Sequence, residues 1–421
     1  MSYSYLSDSQ KKAIDAILGG KNVFVSGSAG TGKSYLLNYL KTELKNKNLQ
    51  VTATTGIAAI NIGGITLHSW ANLGIDDSPV EQIVQKIFSA SGINTRKKIQ
   101  KTEILTIDEV SMLSMETFEK VDKLLRMVRN NDKPFGGIQM ILFGDFFQLP
   151  PINSNNFCFE SEVWQEAKIE TIMLTEVFRQ QDVRFIELLN NIRYGKITGD
   201  DIKLLKKRHN LKDDSILKPT ILSTHNIFVE KINFEKLNSL TTKEMAYEAE
   251  FKGKKDKIEI LRKNCMAKEI LTLKIGSQVM MLKNTHQKDG IINGSTGIVI
   301  DFSSKKHYPV VEFENGVQLI VTPDIWEINI FNHNTGQPEV VASMMQVPLA
   351  LAWAVTVHKS QGMTLDKAEC DLQNSFADGQ IYVALSRVRD LHGLFIRSFD
   401  INKIKINKKI LKFYDSLPPT L

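Results

Sequence analysis

Gly27-Ser28-Ala29-Gly30-Thr31-Gly32-Lys33-Ser34 decides the reading of this 421-residue chain. The pattern is G-x-x-x-x-G-K-S, and its glycines let backbone N–H groups converge on phosphate oxygens. An apolar run at 23–25 precedes it and a helical pattern at 35–44 follows. A loop so placed ends a strand and opens a helix, whose N-terminus adds the positive end of a dipole. Gly27, Ala29, Gly30, Thr31 and Gly32 are therefore expected to cradle a nucleoside triphosphate. Lys33 would reach the β- and γ-phosphates, and the Ser34 hydroxyl would hold Mg2+.

From residue 10 to about 172 the texture repeats strand, loop and helix, with apolar strands expected at 23–26, 51–54, 104–107, 140–143 and 171–174. Such alternation predicts a parallel sheet with helices on both faces and ligands at the carboxyl ends of its strands. The alternation restarts at 220–223, and Val229, Ile232, Leu237 and Leu240 follow at roughly helical spacing. An apolar segment at 349–357 and a helix-like 379–385 complete a second α/β unit. Between them, short β-rich runs at 278–282, 297–300, 310–313 and 317–321 are separated by turn signals such as Asn293-Gly294 and Asn315-Gly316. These predict a small β-barrel inserted into the second unit. A polar insert ending in Arg96-Lys97-Lys98 starts near Asp76. The lysine-rich run 252–263 fits a solvated helix face as well as it fits a DNA contact.

The length suggests about three domains at roughly 150 residues each. With 42% hydrophobic and 24% charged residues, the composition is that of an ordinary globular protein. No apolar run approaches the roughly 18 residues of a membrane span, and the polar start at 1–10 shows no secretory or transit pattern. An intracellular, unprocessed protein is expected. Cys158, Cys265 and Cys370 lie too far apart for a C-x-x-C site and are expected as free thiols in a reducing compartment. A net charge of +6 mildly favours a polyanionic partner.

Ile104-Leu105-Thr106-Ile107-Asp108-Glu109 is an apolar strand ending in two carboxylates. Downstream of a phosphate loop, Asp108 is expected to join Ser34 at the metal, and Glu109 to orient or deprotonate the attacking water. Gly144-Asp145-Phe146-Phe147-Gln148-Leu149-Pro150-Pro151 follows the next strand. Gln148 reads either as a γ-phosphate sensor or as a loop amide satisfying backbone groups. Phe146 and Phe147 read as core or as base-stacking platforms. Arg179, in Leu174-Thr175-Glu176-Val177-Phe178-Arg179-Gln180, and Arg387, in Tyr382-Val383-Ala384-Leu385-Ser386-Arg387-Val388-Arg389, would neutralise the transferred phosphoryl group. Surface ion pairs are the alternative for each.

Further stretches complete the series: Ser7-Asp8-Ser9-Gln10, Thr54-Thr55-Gly56-Ile57-Ala58-Ala59, Thr66-Leu67-His68-Ser69-Trp70, the segment 111–137 ending Lys133-Pro134-Phe135-Gly136-Gly137, Ile291-Ile292-Asn293-Gly294-Ser295-Thr296-Gly297 and Val357-His358-Lys359-Ser360-Gln361-Gly362-Met363-Thr364. In this order the motifs resemble superfamily-one helicases of the B type, most closely the Pif-type (petite integration frequency) family, over nearly the whole chain. Under that resemblance Gln10 belongs to the Q motif and reads adenine, although the same four residues also fit a helix capping box. The segments at 54 and 66 are similar to motifs Ia and Ib, and that at 357 to motif V, with Gly362 at the nucleotide. Arg387 falls in motif VI. The segment 111–137 is similar to the signature that separates the Pif type from RecD-like and Dda-like relatives. Residues 291–297 resemble the turn of the family's small Src-homology-three-like barrel.

The resemblance implies an α/β protein with two RecA-like P-loop NTPase domains built on parallel sheets. The first would span 1–177, with a wedge insert at 71–98. The second would combine 178–265 and 348–421, with the barrel at 266–347. It also implies an ATP- and Mg2+-dependent DNA helicase that moves 5′ to 3′ on single-stranded DNA and opens duplex or structured DNA in replication, repair or recombination. Closure of a cleft between the domains would bring Arg179 and Arg387 to the γ-phosphate. Thr55, Gly56, His68, Asn293, Gly294, His358, Lys359 and Ser360 would hold DNA, with the wedge splitting the duplex. For His68 and His358 a satisfied polar group is the alternative, and for Trp70 a core position. Tailed or forked duplexes and G-quadruplexes are the expected substrates. The protein is expected as a monomer without a membrane partner, in the cytoplasm or nucleoid of a bacterium or phage-infected cell, because it lacks the long extensions of eukaryotic members. The alternatives are a RecD-like or Dda-like helicase, or a DNA-stimulated translocase or clamp that separates no strands.

Overall fold

The apolar runs become the centre of a parallel sheet. The computed structural model describes residues 3–74, 78–152, 154–332, 337–373, 377–398 and 400–417. Of the expected wedge and barrel, 75–77 and 333–336 lie outside the described residues. The chain divides into two units, the first made of 1–178, 327–342 and 408–421 and the second of 179–326 and 343–407.

In the first unit the strands are β1 (Val23–Gly27), β2 (Leu49–Ala53), β3 (Ile65–Thr66), β4 (Ile104–Asp108), β5 (Gln139–Gly144) and β6 (Glu170–Leu174). They form one sheet in the order β3-β2-β4-β5-β1-β6, with every pairing parallel. All residues of β1 and β4 are buried, which is why these strands read as unbroken apolar runs rather than alternating ones. Helix α1 (Asp8–Leu18) covers the sheet with Ala13, Ile14 and Ile17, and α2 (Lys33–Glu43) with Leu36, Leu37 and Leu40. These spacings place the apolar residues on one stripe of each helix. Because the strands run the same way, the carboxyl ends of β1, β4 and β5 lie along one edge, and the loops after them meet there.

Helices α3 (Gly56–Asn61) and α4 (Leu67–Ala71) follow β2 and β3, each capped by a threonine: the Thr55 hydroxyl accepts from Ala58 N–H and the Thr66 hydroxyl from Ser69 N–H. Trp70 is fully buried, which settles it as core. The polar insert is a pair of helices, α5 (Val80–Phe88) and α6 (Ile93–Lys101), whose buried Ile83, Ile87 and Ile99 face inward and which both contact α7 (Met115–Arg129). The segment after α7 explains what 111–137 does physically. The Asp122 carboxylate accepts from the N–H of Phe135 at 2.6 Å, holding a turn in which Phe135 takes φ 54°. The Arg129 guanidinium donates to the carbonyls of Ile99, Gln100 and Thr102 at 2.8–2.9 Å, and to Gly136 at 2.7 Å. It thereby satisfies carbonyls that the end of α6 leaves without helical partners.

Two groupings expected from the sequence change, the first being 327–342, expected in the barrel but part of the first unit. Residues 408–421 were placed with the second α/β domain, yet the helix Lys408–Asp415 belongs to the first unit. The reason is aromatic. Phe413 lies 4.3 Å from Phe159 and 5.5 Å from Phe146, and Tyr414 stacks on Phe147 at 4.8 Å. The Tyr414 hydroxyl is 2.7 Å from Ser26 Oγ and accepts from Phe146 N–H, and Lys409 pairs with Glu160 at 2.8 Å. Phe146 and Phe147 are thereby core rather than stacking platforms. Removing the half-buried ring in Phe413→Ala is expected to cost about 2–4 kcal/mol of unfolding free energy, read from the urea midpoint at constant slope. A change below about 0.5 kcal/mol would mean that the helix is not part of the cooperative unit.

The second unit has a parallel sheet with strands Ala354–Thr356, Thr220–Ser223, Ala368–Asp371 and Leu394–Ser398 in that order. The expected β module is an antiparallel sheet of Gln318–Ile320, Pro309–Phe313, Thr296–Phe302, Gln278–Met281 and Leu349–Leu351, in that order. Its own core includes Val279, Met281, Val299, Val311 and Phe313. The lysine-rich run contains the helix Lys255–Asn264, which buries only Leu261.

Candidate functional site

The loop after β1 has the backbone that its glycines predict. Gly30 and Gly32 take φ of 85° and 83°, in the left-handed region that favours glycine. The Thr31 hydroxyl donates to the Ser28 carbonyl at 2.9 Å and closes the loop. Lys33 Nζ donates to the carbonyls of Gly27 and Ser28 at 2.7 and 3.0 Å, so its charge stays at the loop. Ser34 is exposed on the first turn of α2. Gln10 is buried and its side chain is bonded on two sides. It completes the capping box with Ser7, and its side-chain amide donates to the Thr31 carbonyl at 3.4 Å. A Cβ at Gly32 would stand 2.6 Å from that amide nitrogen and 3.6 Å from the Phe178 ring. Phe178, held by its N–H to the Gly30 carbonyl, was not singled out from the sequence, although it stands directly before Arg179 in the 174–180 stretch.

At the end of β4, Asp108 is buried and accepts from the N–H of Glu109 at 2.9 Å. Burial, and then the Glu109 carboxylate, push Asp108 well above the usual carboxylate range. Glu109 has φ 53°, an uncommon conformation for a residue with a side chain, and its carbonyl accepts from the Thr54 hydroxyl at 2.8 Å. The carboxylate pair is thus tied to the start of the 54–59 segment. Gln148 is buried in the loop after β5, with its N–H on the Asp145 carbonyl at 2.9 Å. Among the described residues no group of three acidic, histidine or cysteine side chains could hold a metal alone. One buried carboxylate and one hydroxyl fit a magnesium ion that takes its remaining ligands from phosphates and water.

In the second unit the two arginines bond to hydroxyl and backbone carbonyl groups. Arg179 donates from Nε to the Thr364 hydroxyl and from a terminal nitrogen to the Ser386 carbonyl, both at 3.0 Å. Arg387 is 2% exposed and donates to the Val383 carbonyl and the Ser386 hydroxyl, both at 2.9 Å. Both therefore converge on the 383–387 turn. The 357–364 segment is a tight turn in which Ser360 is fully buried, its hydroxyl donating to the Val357 carbonyl at 2.8 Å. Ser360 thus shapes the turn that carries His358 and Lys359, which are half-buried. Burial holds the His358 imidazole below its ordinary range. Gly362 has φ 76° with open space beside it. Asn293 and Gly294 touch this same segment. In the first unit, Thr55 and Gly56 open α3, and His68 is exposed on α4.

A phosphate-cradling loop, with a carboxylate pair on a strand two places away in a parallel sheet of this order, is the arrangement of a P-loop nucleoside triphosphatase. The comparisons narrow that class. The PIF1-like helicase family matches residues 5–203, and the 2B domain of the DNA helicase Pif1 matches 258–302. The "ATP-dependent DNA helicase PIF1" of Xenopus laevis is 40% identical over 98% of this chain and 64% of its own length. The "ATP-dependent DNA helicase Pif1" of a Psychrobacter species is 36% identical over 91% of this chain and 67% of its own. A crystal structure of Bacteroides sp Pif1 in complex with ADP-AlF4 aligns with TM-score 0.84 and 33% identity, over 98% of this chain and 96% of that one. The chain belongs to the PIF1-like helicase family. It spans about 64% of the length of the first vertebrate relatives it matches. Among the described residues, no helix is long and apolar enough to cross a membrane.

Proposed function

We propose that the protein is an ATP-dependent DNA helicase that steps 5′ to 3′ along single-stranded DNA and opens duplex or structured DNA. The observation that carries this is the second unit's turn at 357–364. It presents His358 and Lys359, and through Thr364 it also holds Arg179, so phosphoryl chemistry and strand contact share one piece of backbone. An isolated nucleotide switch needs no such link.

In this reading the loop amides and Lys33 bind the triphosphate, Gln10 reads the base and Phe178 flanks it. Ser34 and Asp108 would hold magnesium, which when bound would supply charge neutralisation to the phosphates. Glu109 orients the attacking water and accepts its proton as the terminal phosphoryl bond breaks, Gln148 contacts the γ-phosphate, and Arg179 and Arg387 stabilise the charge on the transferred group. Thr55, Gly56, His68, Asn293, Gly294, His358 and Lys359 hold the strand, and 71–98 forms the wedge. The domains are assigned as 1–177 with 408–421 for the first RecA-like domain, 178–265 and 348–407 for the second, and 266–347 without 327–342 for the barrel. Forked duplexes and G-quadruplexes belong among the substrates, with a monomer as the working form. The free thiols Cys158, Cys265 and Cys370 go with a reducing bacterial or phage-infected cytoplasm.

Matched duplexes with a 5′ or a 3′ single-stranded tail test the reading. ATP-dependent unwinding is expected from the 5′ tail only. Unwinding from the 3′ tail keeps the motor and rejects the direction. DNA-stimulated hydrolysis with neither duplex opened would instead make the protein a translocase or clamp.

A further inference from the structure

Thr364 is the point where three parts of the second unit meet. Its N–H donates to the Asn293 carbonyl at 3.2 Å, and its hydroxyl accepts from Arg179 Nε at 3.0 Å. Its carbonyl lies against Gly294, where a Cβ would come within 2.4 Å. Gly294 has φ 99°, so the turn of the β module approaches Thr364 as closely as bare backbone allows. Beyond Thr364 the chain of contacts continues. Arg179 reaches the Ser386 carbonyl, Gln180 donates to the carbonyls of Ser386 and Val388 at 3.2 and 2.9 Å, and the Ser386 hydroxyl accepts from Arg387. Leu365 N–H donates to the Arg387 carbonyl at 2.9 Å, and Arg389 N–H to the Leu365 carbonyl at 3.1 Å. The barrel turn and both arginines are therefore joined through residues 364 and 365.

We propose that Thr364 is a positioning residue that relays the state of the Asn293-Gly294 turn to Arg179 and Arg387, so that DNA held at that turn sets the rate of ATP hydrolysis. This rests on the helicase reading above. A guanidinium is planar and its donors point in fixed directions. With Nε on Thr364 and a terminal nitrogen on Ser386, Arg179 is oriented by both acceptors. The relay has no slack at its other end, because Thr364 is gripped by a hydrogen bond on one side and by van der Waals contact with Gly294 on the other. A displacement of the turn must then move the Thr364 hydroxyl, as a close-packed interior transmits strain. The methyl group of Thr364 fills space, whereas the hydroxyl carries the bond to Arg179. That separates a relay from a packing role.

The test uses the full chain and three variants. Thr364→Val keeps the shape and loses the hydroxyl, Thr364→Ser keeps the hydroxyl and loses the methyl, and Thr364→Ala repeats the loss of the hydroxyl should buried valine disturb folding. Steady-state ATP turnover is measured with and without saturating oligodeoxythymidylate, together with KM for ATP and DNA affinity by fluorescence anisotropy. Thr364→Val and Thr364→Ala are expected to lower the DNA-stimulated kcat about tenfold or more, the scale of a lost hydrogen bond to a charged group. KM and DNA affinity stay within about twofold, as uniform binding is not what the hydroxyl supplies. Thr364→Ser keeps most of the stimulation. Full stimulation in Thr364→Val, or a serine variant as impaired as valine, overturns the relay while leaving the helicase reading intact. Wild-type turnover indifferent to oligodeoxythymidylate overturns both.

Discussion

Lys33→Ala is expected to leave a folded protein that binds single-stranded DNA and hydrolyses ATP at least about a thousandfold more slowly, the scale of losing a preorganised charge at a reacting phosphate. The ammonium lies on the carbonyls of Gly27 and Ser28, at the mouth of the loop that Gly30 and Gly32 shape with their left-handed backbone. No other lysine or arginine belongs to that loop, so nothing local replaces the charge. Alanine at the first position of α2 suits a helix, and the carbonyls released are only part-buried, so the melting temperature should hold within a few degrees. None of the residues proposed to hold DNA lies in the loop, which is why DNA affinity should survive. Turnover by a contaminant-free Lys33→Ala preparation at wild-type rate would remove the phosphate-loop assignment and the mechanism built on it.

How far the sequence could be read depended on whether a function sits in local spacing. The loop at 27–34 and the carboxylates at 108 and 109 were legible because each is contiguous and follows an unbroken apolar strand, and a strand buried on both faces can only end in a loop. Gln10 read both as cap and as nucleotide contact; the capping box is formed, and the same side chain reaches the phosphate loop at the Thr31 carbonyl. Phe146 and Phe147 stayed ambiguous, since an aromatic pair after a strand suits a core or a platform equally. Their burial is decided by Phe413 and Tyr414, more than 260 residues later. The same distance hid the placement of the last helix. Arg179 and Arg387 read as surface groups when each is taken singly. Only the folded chain puts Ser386 under both of them and Thr364 under the first. Ser360 is the converse case, a polar residue expected to hold DNA that turns inward to fix the turn.

Arg387→Ala should bind ATP with near wild-type affinity and lose about 10³–10⁵ in kcat, the range measured when an arginine that neutralises a transferred phosphoryl group is absent. The structure adds a complication that the experiment must separate. Arg387 is 2% exposed and its guanidinium serves the Val383 carbonyl and the Ser386 hydroxyl, so alanine also leaves a cavity and an unmet acceptor. That structural loss is about 1–3 kcal/mol and is read in thermal or urea unfolding. Arg387→Lys keeps a positive charge and most of the volume but lacks the planar fork that reaches two partners at once. If Arg387 stabilises the transition state, lysine restores much of the stability and little of the rate, and nucleotide affinity changes in neither variant. If the residue merely braces the helix Gln380–Leu385, rate and stability recover together in the lysine variant. Weakened nucleotide binding with normal maximal turnover would reject the transition-state role outright, because a group that acts only as charge develops on the leaving phosphate has no reason to hold the ground state.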